Sequence, residues 1–330
     1  MKVLVIGGAG YIGSHTIVEL IANSHEPIIL DNFSNSEPRV LARLEKLCGK
    51  KIKNYDLDYL KTDDLVRVIK NEGIEAVIHF AAYKAVGESV KDPLKYYLNN
   101  VSGFIGLLMV LVKNGVNKIV FSSSASVYGD PPVKAVTEST VCNPTSPYGF
   151  TKLMCEQILK DTVAANPKLG ATSLRYFNVV GAHKSALIGE LSKSKPQNLL
   201  PIITQATAKV IPPLVVYGDD YDTPDGSCLR DYVHVVDLAK AHVAALNNIH
   251  GYSVYNVGTG KPTSVFEFIK VFESVNKIKV PYSIGKRRPG DPPAYYAKVD
   301  KIEKALNWHA TFTVEDAVRD AWKWQLTLTK

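Results

Sequence analysis

Three glycines, spaced Gly7-x-x-Gly10-x-x-Gly13, separate the apolar run Val3-Leu4-Val5-Ile6 from a helical pattern over Tyr11 to Asn23. No other feature narrows the fold as much. A buried strand, a tight glycine turn and a helix in immediate succession make a site where the backbone can approach an anion, because glycine lacks Cβ and the helix start presents unpaired N–H groups. A second strand over Pro27 to Leu30 ends at Asp31, roughly 20 residues beyond the glycines. The rhythm persists. Lys51 to Tyr55, Ala76 to Phe80, Lys118 to Ser122 and Ala171 to Tyr176 read as strands, with helical patterns at about 36–48, 62–72, 92–114 and 147–165 between them. Apolar strands alternating with helices imply an α/β fold with a doubly wound parallel sheet of Rossmann type.

Beyond residue 178 the pattern loosens. Gly181 to Gln197 is polar, and Tyr217 to Gly226 is rich in Asp, Gly and Pro. Residues 1–178 are therefore expected to form a dinucleotide-binding domain. A segment near 230–260, helix-like over Val236 to Asn247 and strand-like over Tyr252 to Val257, is expected to return to it. Residues 179–330 are expected to form a smaller mixed α/β domain for the substrate.

The 330 residues carry 39 Lys and Arg against 32 Asp and Glu, a net +7, which suits acidic small molecules or nucleic acid. The longest basic cluster, Lys286-Arg287-Arg288, stops at Pro289 and no basic stripe with interleaved aromatics exists, so nucleic acid is not expected. Cys48, Cys142, Cys155 and Cys228 show neither disulfide-scaffold nor zinc spacing; reduced thiols and no metal are expected. The most apolar run, Phe104 to Val112, falls short of the roughly 20 residues that span a bilayer. Residues 1–13 imitate a signal peptide, but glycines interrupt the apolar stretch. A cytoplasmic protein without a membrane partner is the expectation.

Asp31 stands where a carboxylate accepts hydrogen bonds from the adenosine ribose hydroxyls and repels a 2′-phosphate, which favours NAD over NADP. Tyr148 and Lys152 share one face of a helix that opens with Ser146 as N-cap and Pro147 at the first position. A phenol titrates near 10, and a neighbouring ammonium, a cationic nicotinamide and the helix N-terminus would lower it, making Tyr148 the candidate general acid/base. Ser122, Ser123, Ser124 and Ser126 follow the strand run Lys118 to Phe121, where doubly wound sheets gather ligands. One hydroxyl could relay the substrate's proton to Tyr148, and the others satisfy local backbone.

With these residues in view, the sequence resembles the extended short-chain dehydrogenase/reductase superfamily, and within it the family of UDP-glucose 4-epimerases. The strings that carry the resemblance are Gly-Gly-Ala-Gly-Tyr-Ile-Gly-Ser-His at 7–15, Leu-Asp-Asn at 30–32, and His-Phe-Ala-Ala-Tyr-Lys-Ala-Val-Gly-Glu-Ser at 79–89. They continue with Asn-Asn-Val at 99–101, Phe-Ser-Ser-Ser-Ala-Ser-Val-Tyr-Gly at 121–129, Tyr148 with Lys152, and Arg-Tyr-Phe-Asn at 175–178. Arg-Asp-Tyr-Val-His-Val-Val-Asp-Leu at 230–238, Tyr-Asn-Val-Gly-Thr-Gly at 255–260 and Arg-Pro-Gly-Asp-Pro-Pro-Ala-Tyr at 288–295 complete the set, so the likeness runs from end to end.

The resemblance implies reversible hydride transfer at the sugar C4 on tightly held NAD, through a 4-keto sugar that turns over in the site, with UDP-glucose and UDP-galactose as partners and no net redox. It assigns Ser124, Tyr148 and Lys152 to catalysis. To the cofactor it assigns Gly7, Gly10, Tyr11, Ile12, Gly13, Asp31, Asn32, Asn35, Ser36, Asp58, Tyr59, Phe80, Ala81, Lys84, Asn99, Ser122 and Phe177, along with Tyr148 and Lys152. Lys84, Ser124 and Tyr148 also face the substrate, with Asn178, Asn198, Leu199, Arg230, Arg288, Asp291 and Tyr295; the two arginines suit diphosphate oxygens. A bulky Tyr295 implies a pocket limited to plain hexoses. An isologous homodimer is implied, pairing helices 92–114 and 147–165 with their copies. Two departures stand out: Ala81-Ala82-Tyr83-Lys84 stands where the family has Ala-Gly-Leu-Lys, and Lys184 and Ala186 replace Pro and Gly. Related nucleotide-sugar dehydratases and decarboxylases carry acids just before Val-Tyr-Gly, where this chain has Ala125 and Ser126, and a non-catalytic NAD sensor would not need Tyr148 and Lys152.

Overall fold

A computed structural model describes residues 1–191, 193, 195–288 and 292–329. The strands are β1 (Lys2–Ile6), β2 (Glu26–Asp31), β3 (Asn54–Asp56), β4 (Ala76–His79), β5 (Lys118–Ser122), β6 (Ala135–Val136), β7 (Gly170–Tyr176), β8 (Asn178–Val180), β9 (Leu214–Tyr217), β10 (Leu229–His234), β11 (Tyr252–Val257), β12 (Pro262–Ser264), β13 (Tyr282–Gly285) and β14 (Ala294–Ala297). The helices are α1 (Tyr11–Ala22), α2 (Arg39–Cys48), α3 (Thr62–Glu72), α4 (Val86–Lys91), α5 (Pro93–Tyr96), α6 (Gly103–Lys113), α7 (Pro147–Ala165), α8 (Leu199–Thr207), α9 (Val235–Asn247), α10 (Val265–Asn276), α11 (Asp300–Leu306) and α12 (Val314–Leu328).

Seven strands form one wholly parallel sheet in the order β11-β7-β5-β4-β1-β2-β3. Its strands read as unbroken apolar runs because both faces are covered. Val3 and Val5 point into a core with Ile17 and Leu20 of α1, Leu44 of α2 and Leu238 of α9. Leu4 and Ile6 point the other way, into a core with Leu65 of α3, Leu107 of α6 and Leu159 of α7. The strand order reverses between β1 and β4, which opens a crevice at their carboxyl ends.

Of the 230–260 segment, only β11 joins this sheet, beside β7. Strand β10 pairs instead with β8, β12 and β14, and β6 extends that second sheet beyond β14. The pair β9–β13 stands apart, packed with α8, α10 and α12 around Leu200, Phe268 and Val318.

Three expected elements differ. The strand expected over Lys51 to Tyr55 spans Asn54–Asp56, the residues in register with Ile29 to Asp31 of β2. The helix expected from residue 36 begins after Pro38, which has no N–H to give to a preceding turn. The pattern at 92–114 is broken by a π turn, Tyr97–Ser102, between α5 and α6. Taken together, Pro93–Lys113 is long and apolar enough to cross a bilayer, unlike the shorter run read from the sequence. Here Phe104, Leu107, Leu108 and Leu111 of that segment lie in the core.

The departure at Ala186 has a backbone consequence. Its φ is +57°, in a turn where its N–H donates to the His183 carbonyl at 2.8 Å. A left-handed L-residue costs about 1–2 kcal/mol, while glycine forfeits about 0.5–1 kcal/mol of chain entropy. Ala186→Gly is therefore expected to stabilise the fold by about 0.5–1 kcal/mol, seen as a higher urea midpoint; an unchanged or lower midpoint would contradict the strain.

Candidate active site

The glycine turn after β1 meets the turn after β4. Gly7 adopts φ +80°, and a Cβ there would lie 2.9 Å from the Ala81 nitrogen; a Cβ on Gly13 would lie 2.3 Å from the Gly7 carbonyl oxygen. Phe80 and Ala81 donate their N–H groups to the Ile6 carbonyl, at 2.8 and 3.2 Å, so the two turns form one floor. Helix α1 starts above it with no capping side chain and no acid in its first turn. Its free N–H groups and positive dipole end suit an anionic pyrophosphate beside Gly10, Tyr11 and Ile12. Among the described residues, no group of three His, Cys, Asp or Glu could hold a metal ion.

Asp31, at the end of β2, is buried. Its Oδ2 accepts from the Ala9 N–H at 3.0 Å, and its Oδ1 from the Phe33 N–H and the Ser36 hydroxyl at 2.9 Å each. Burial pushes its pKa up, and these three donors pull it back. Of about four lone-pair directions on a carboxylate, three are engaged within the chain, which leaves less acceptor capacity than the sequence alone suggests. Asn32 donates to Asp58 at 3.0 Å, and Asn35 follows in the same exposed turn. Farther along, the buried Tyr59 hydroxyl donates to the Asn99 carbonyl at 2.5 Å, and Phe80 packs 4.7 Å from the His242 ring.

Helix α7 brings Tyr148 and Lys152 to the end of β5. Ser146 caps it, accepting from the Gly149 N–H at 3.2 Å, with Pro147 at the first turn. Ser89 accepts the Tyr148 N–H at 3.2 Å. Lys152, almost wholly buried, donates to the Ser122 carbonyl at 2.7 Å, and its ammonium lies 6.0 Å from the Tyr148 ring centre. Burial brings the Lys152 pKa down to about 8. Burial raises that of Tyr148, and the nearby Ser124 hydroxyl pulls it back; Ser124 Oγ itself donates to Ser126 Oγ and accepts from the Ser126 N–H, at 3.1 Å each. The direction of the Tyr148 shift is opposite to the lowering expected from Lys152, because desolvation of the phenol sets it. Two other serines are committed locally: Ser122 Oγ bonds His242 Nε2 at 3.0 Å, and Ser123 donates to Glu156.

The residues expected at the substrate end lie on several elements. Arg230 on β10 is in register with Tyr295 on β14, and Tyr295 packs 5.1 Å from Phe177 while donating its hydroxyl to the Ala125 carbonyl. Asn178 donates to the Asp231 carbonyl at 3.1 Å. Asn198 and Leu199 begin α8, and Asn198 donates to Glu190 at 3.3 Å. The Arg288 guanidinium covers the Tyr217 ring at 4.0 Å. Asp291 lies outside the described residues.

Three residues at this site escaped the sequence reading. Glu190 joins Lys84, at 3.5 Å, to Asn198, yet it lies in a polar stretch without pattern. Asn100 holds the backbone of Tyr83 at both N–H and C=O, 3.0 Å each, and also donates to Thr151 of α7 at 3.2 Å. Tyr217, beneath Arg288, gave only an aromatic in an irregular segment. The side-by-side Asn99 and Asn100 were the one signal available for the second of these.

Residues 3–258 match the family described as NAD dependent epimerase/dehydratase. The UDP-glucose 4-epimerase of Pasteurella multocida is 49% identical over 329 residues, covering 98% of this chain and 97% of its own. The crystal structure of UDP-glucose 4-epimerase from Bifidobacterium longum, in complex with NAD+ and UDP, superposes with a TM-score of 0.94 at 47% identity, covering 99% of this chain and 98% of that one. That from Stenotrophomonas maltophila, with bound NAD and formylated UDP-arabinopyranose, gives 0.97 at 43% identity, covering 100% and 99%.

Proposed function

Because the chain belongs to the NAD dependent epimerase/dehydratase family, we infer that its site interconverts UDP-galactose and UDP-glucose at the sugar C4. The chain is an NAD-dependent isomerase. One observation carries the reading at the residue level: the buried Tyr148 phenol, close to Ser124, on the same helix as a Lys152 ammonium fixed to the Ser122 carbonyl. The uncapped start of α1, above a turn that closes tightly only because Gly7 and Gly13 lack Cβ atoms, fits a dinucleotide. When bound, NAD would supply reversible hydride acceptance at the sugar C4.

In this reading Tyr148 Oη receives the proton of the sugar 4-OH through Ser124 Oγ, then gives it back. Lys152 stabilises the phenolate by its charge. Asp31, Asn32, Asn35, Ser36, Asp58, Tyr59, Phe80, Asn99 and Phe177 line the cofactor. Arg230 and Arg288 hold the diphosphate, while Asn178, Asn198, Leu199 and Lys84 hold the remainder of UDP and the sugar. Residues 1–178, with the strand from 230–260, serve the cofactor, and 179–330 the UDP-sugar. The reading includes a cytoplasmic protein with neither nucleic acid nor membrane as partner; four free cysteines support it.

Conversion of UDP-galactose in a coupled assay without added NAD tests the function. Tyr148→Phe and Lys152→Ala are each expected to lower kcat by about 10²-fold or more while UDP still binds, and near-normal turnover at wild-type NAD content would refute their roles.

Tyr295 is pinned at both ring and hydroxyl, so it gates the pocket against a C2 N-acetyl group. Little activity on UDP-N-acetylglucosamine, and a gain in Tyr295→Cys, are expected. Equal catalytic efficiency of the unmodified chain on both sugar pairs would end that idea.

The homodimer is part of the same proposal. Leu94, Leu98 and Met109 are 77, 67 and 69% exposed, and Phe150 and Met154 of α7 are exposed as well. An apolar stripe opposite the core-facing side suits an isologous four-helix bundle. Light scattering at micromolar concentration should give twice the chain mass; a monomer would exclude this.

A further inference from the structure

Glu156 is buried and has no part in the proton transfers above. It stands one turn beyond Lys152 on α7, on the face that carries Tyr148. Its Oε1 accepts from the Ser123 hydroxyl and from Arg175 Nε at 2.9 Å; its Oε2 accepts from Arg175 Nη2 at 2.5 Å and Nε at 3.1 Å. Arg175 Nη1 then donates to the Tyr128 hydroxyl at 3.0 Å, which donates to Asn256 Oδ1 at 2.6 Å. The carboxylate thereby joins α7 to β7 and, through Tyr128 and Asn256, to β11.

Joining α7 to β7 needs only the ion pair. The additional bond to Ser123 reaches the residue between Ser122, whose carbonyl holds Lys152, and Ser124, whose hydroxyl lies close to Tyr148. Glu156 therefore touches the strand end that supplies both partners while riding on the helix that supplies both catalytic side chains. We propose that Glu156 is a positioning residue for the epimerisation: through Ser123 it fixes the end of β5 against α7, and so the spacing of Ser124 from Tyr148 and of Ser122 from Lys152. The proposal rests on the function inferred above.

Steady-state kinetics on UDP-galactose, with thermal midpoints and bound-NAD content, test it. Ser123→Ala leaves the ion pair in place and is expected to lower kcat roughly tenfold, with KM and midpoint little changed, as a small misplacement of reacting groups does. Glu156→Met, which removes the acceptor for the Ser123 hydroxyl, is expected to lower kcat by about 10²-fold, and adding Ser123→Ala to it should cost nothing more, since that link is already cut. Because Glu156→Met leaves Arg175 buried without a counter-charge, Glu156→Met with Arg175→Leu removes both charges and keeps the fold. That double variant should retain the wild-type midpoint yet lose kcat as Glu156→Met does. Wild-type kcat in the double variant or in Ser123→Ala, or losses that multiply when Ser123→Ala and Glu156→Met are combined, would overturn the role. A wild-type chain that does not turn over UDP-galactose would overturn the function itself, whereas an active wild type with an unimpaired Ser123→Ala overturns only the inference about Glu156.

Discussion

Lys152 must remain an ammonium although only 3% of it reaches solvent, and much of the surrounding architecture follows from that demand. Burying a charge is costly unless partners replace water. The Ser122 carbonyl supplies one hydrogen bond, the Phe121 ring lies 4.9 Å away, and the Glu156 carboxylate raises the pKa that burial lowers. Each of these partners sits where α7 crosses the end of β5. The crossing is fixed in turn by apolar packing of Leu159 and Val163 beneath the sheet. The chemistry at the carboxyl edge and the core below it are one construction.

The second sheet has a buried carboxylate of its own. Asp231 accepts the N–H and hydroxyl of Thr259 at 2.7 Å each, the Gly260 N–H at 3.0 Å and the Ala297 N–H at 3.1 Å. A Cβ on Gly258 would lie 2.4 Å from its Oδ2. One carboxylate therefore binds β10, the turn after β11 and β14, which places Arg230 beside Tyr295. The string at 255–260 follows from this need: its glycine and threonine are the receptor for a charge that water cannot reach.

Much of this was legible in the sequence wherever a local rule is backed by burial. Strand β1, helix α1 and strand β2 were readable because periodicity and glycine spacing agree with tertiary packing. Ser146 and Pro147 marked the start of α7 because capping is a short-range hydrogen bond. Strand β11 was expected back in the first sheet, and it pairs there. Less visible was whatever depends on distant partners. Glu190 and Asn100 act by reaching residues remote in the chain. The π turn at Tyr97–Ser102 is invisible to a 3.6-residue period. The pKa of Tyr148 was argued from nearby charges, while the depth of its burial, which dominates, exists only in the folded chain.

The late arrival of β11 has a consequence for how the protein comes into being. Strand β7 is flanked by β5, made before it, and by β11, made some 80 residues after it. Helix α9, which covers the Ile17 and Leu20 face of α1, is likewise made long after its partner. During synthesis, the first half leaves the ribosome with an unpaired sheet edge and an uncovered apolar face, both hazards for aggregation. The nascent chain cannot complete its first sheet until Val257 has emerged, so the final closure of these two layers waits on the second half of the chain.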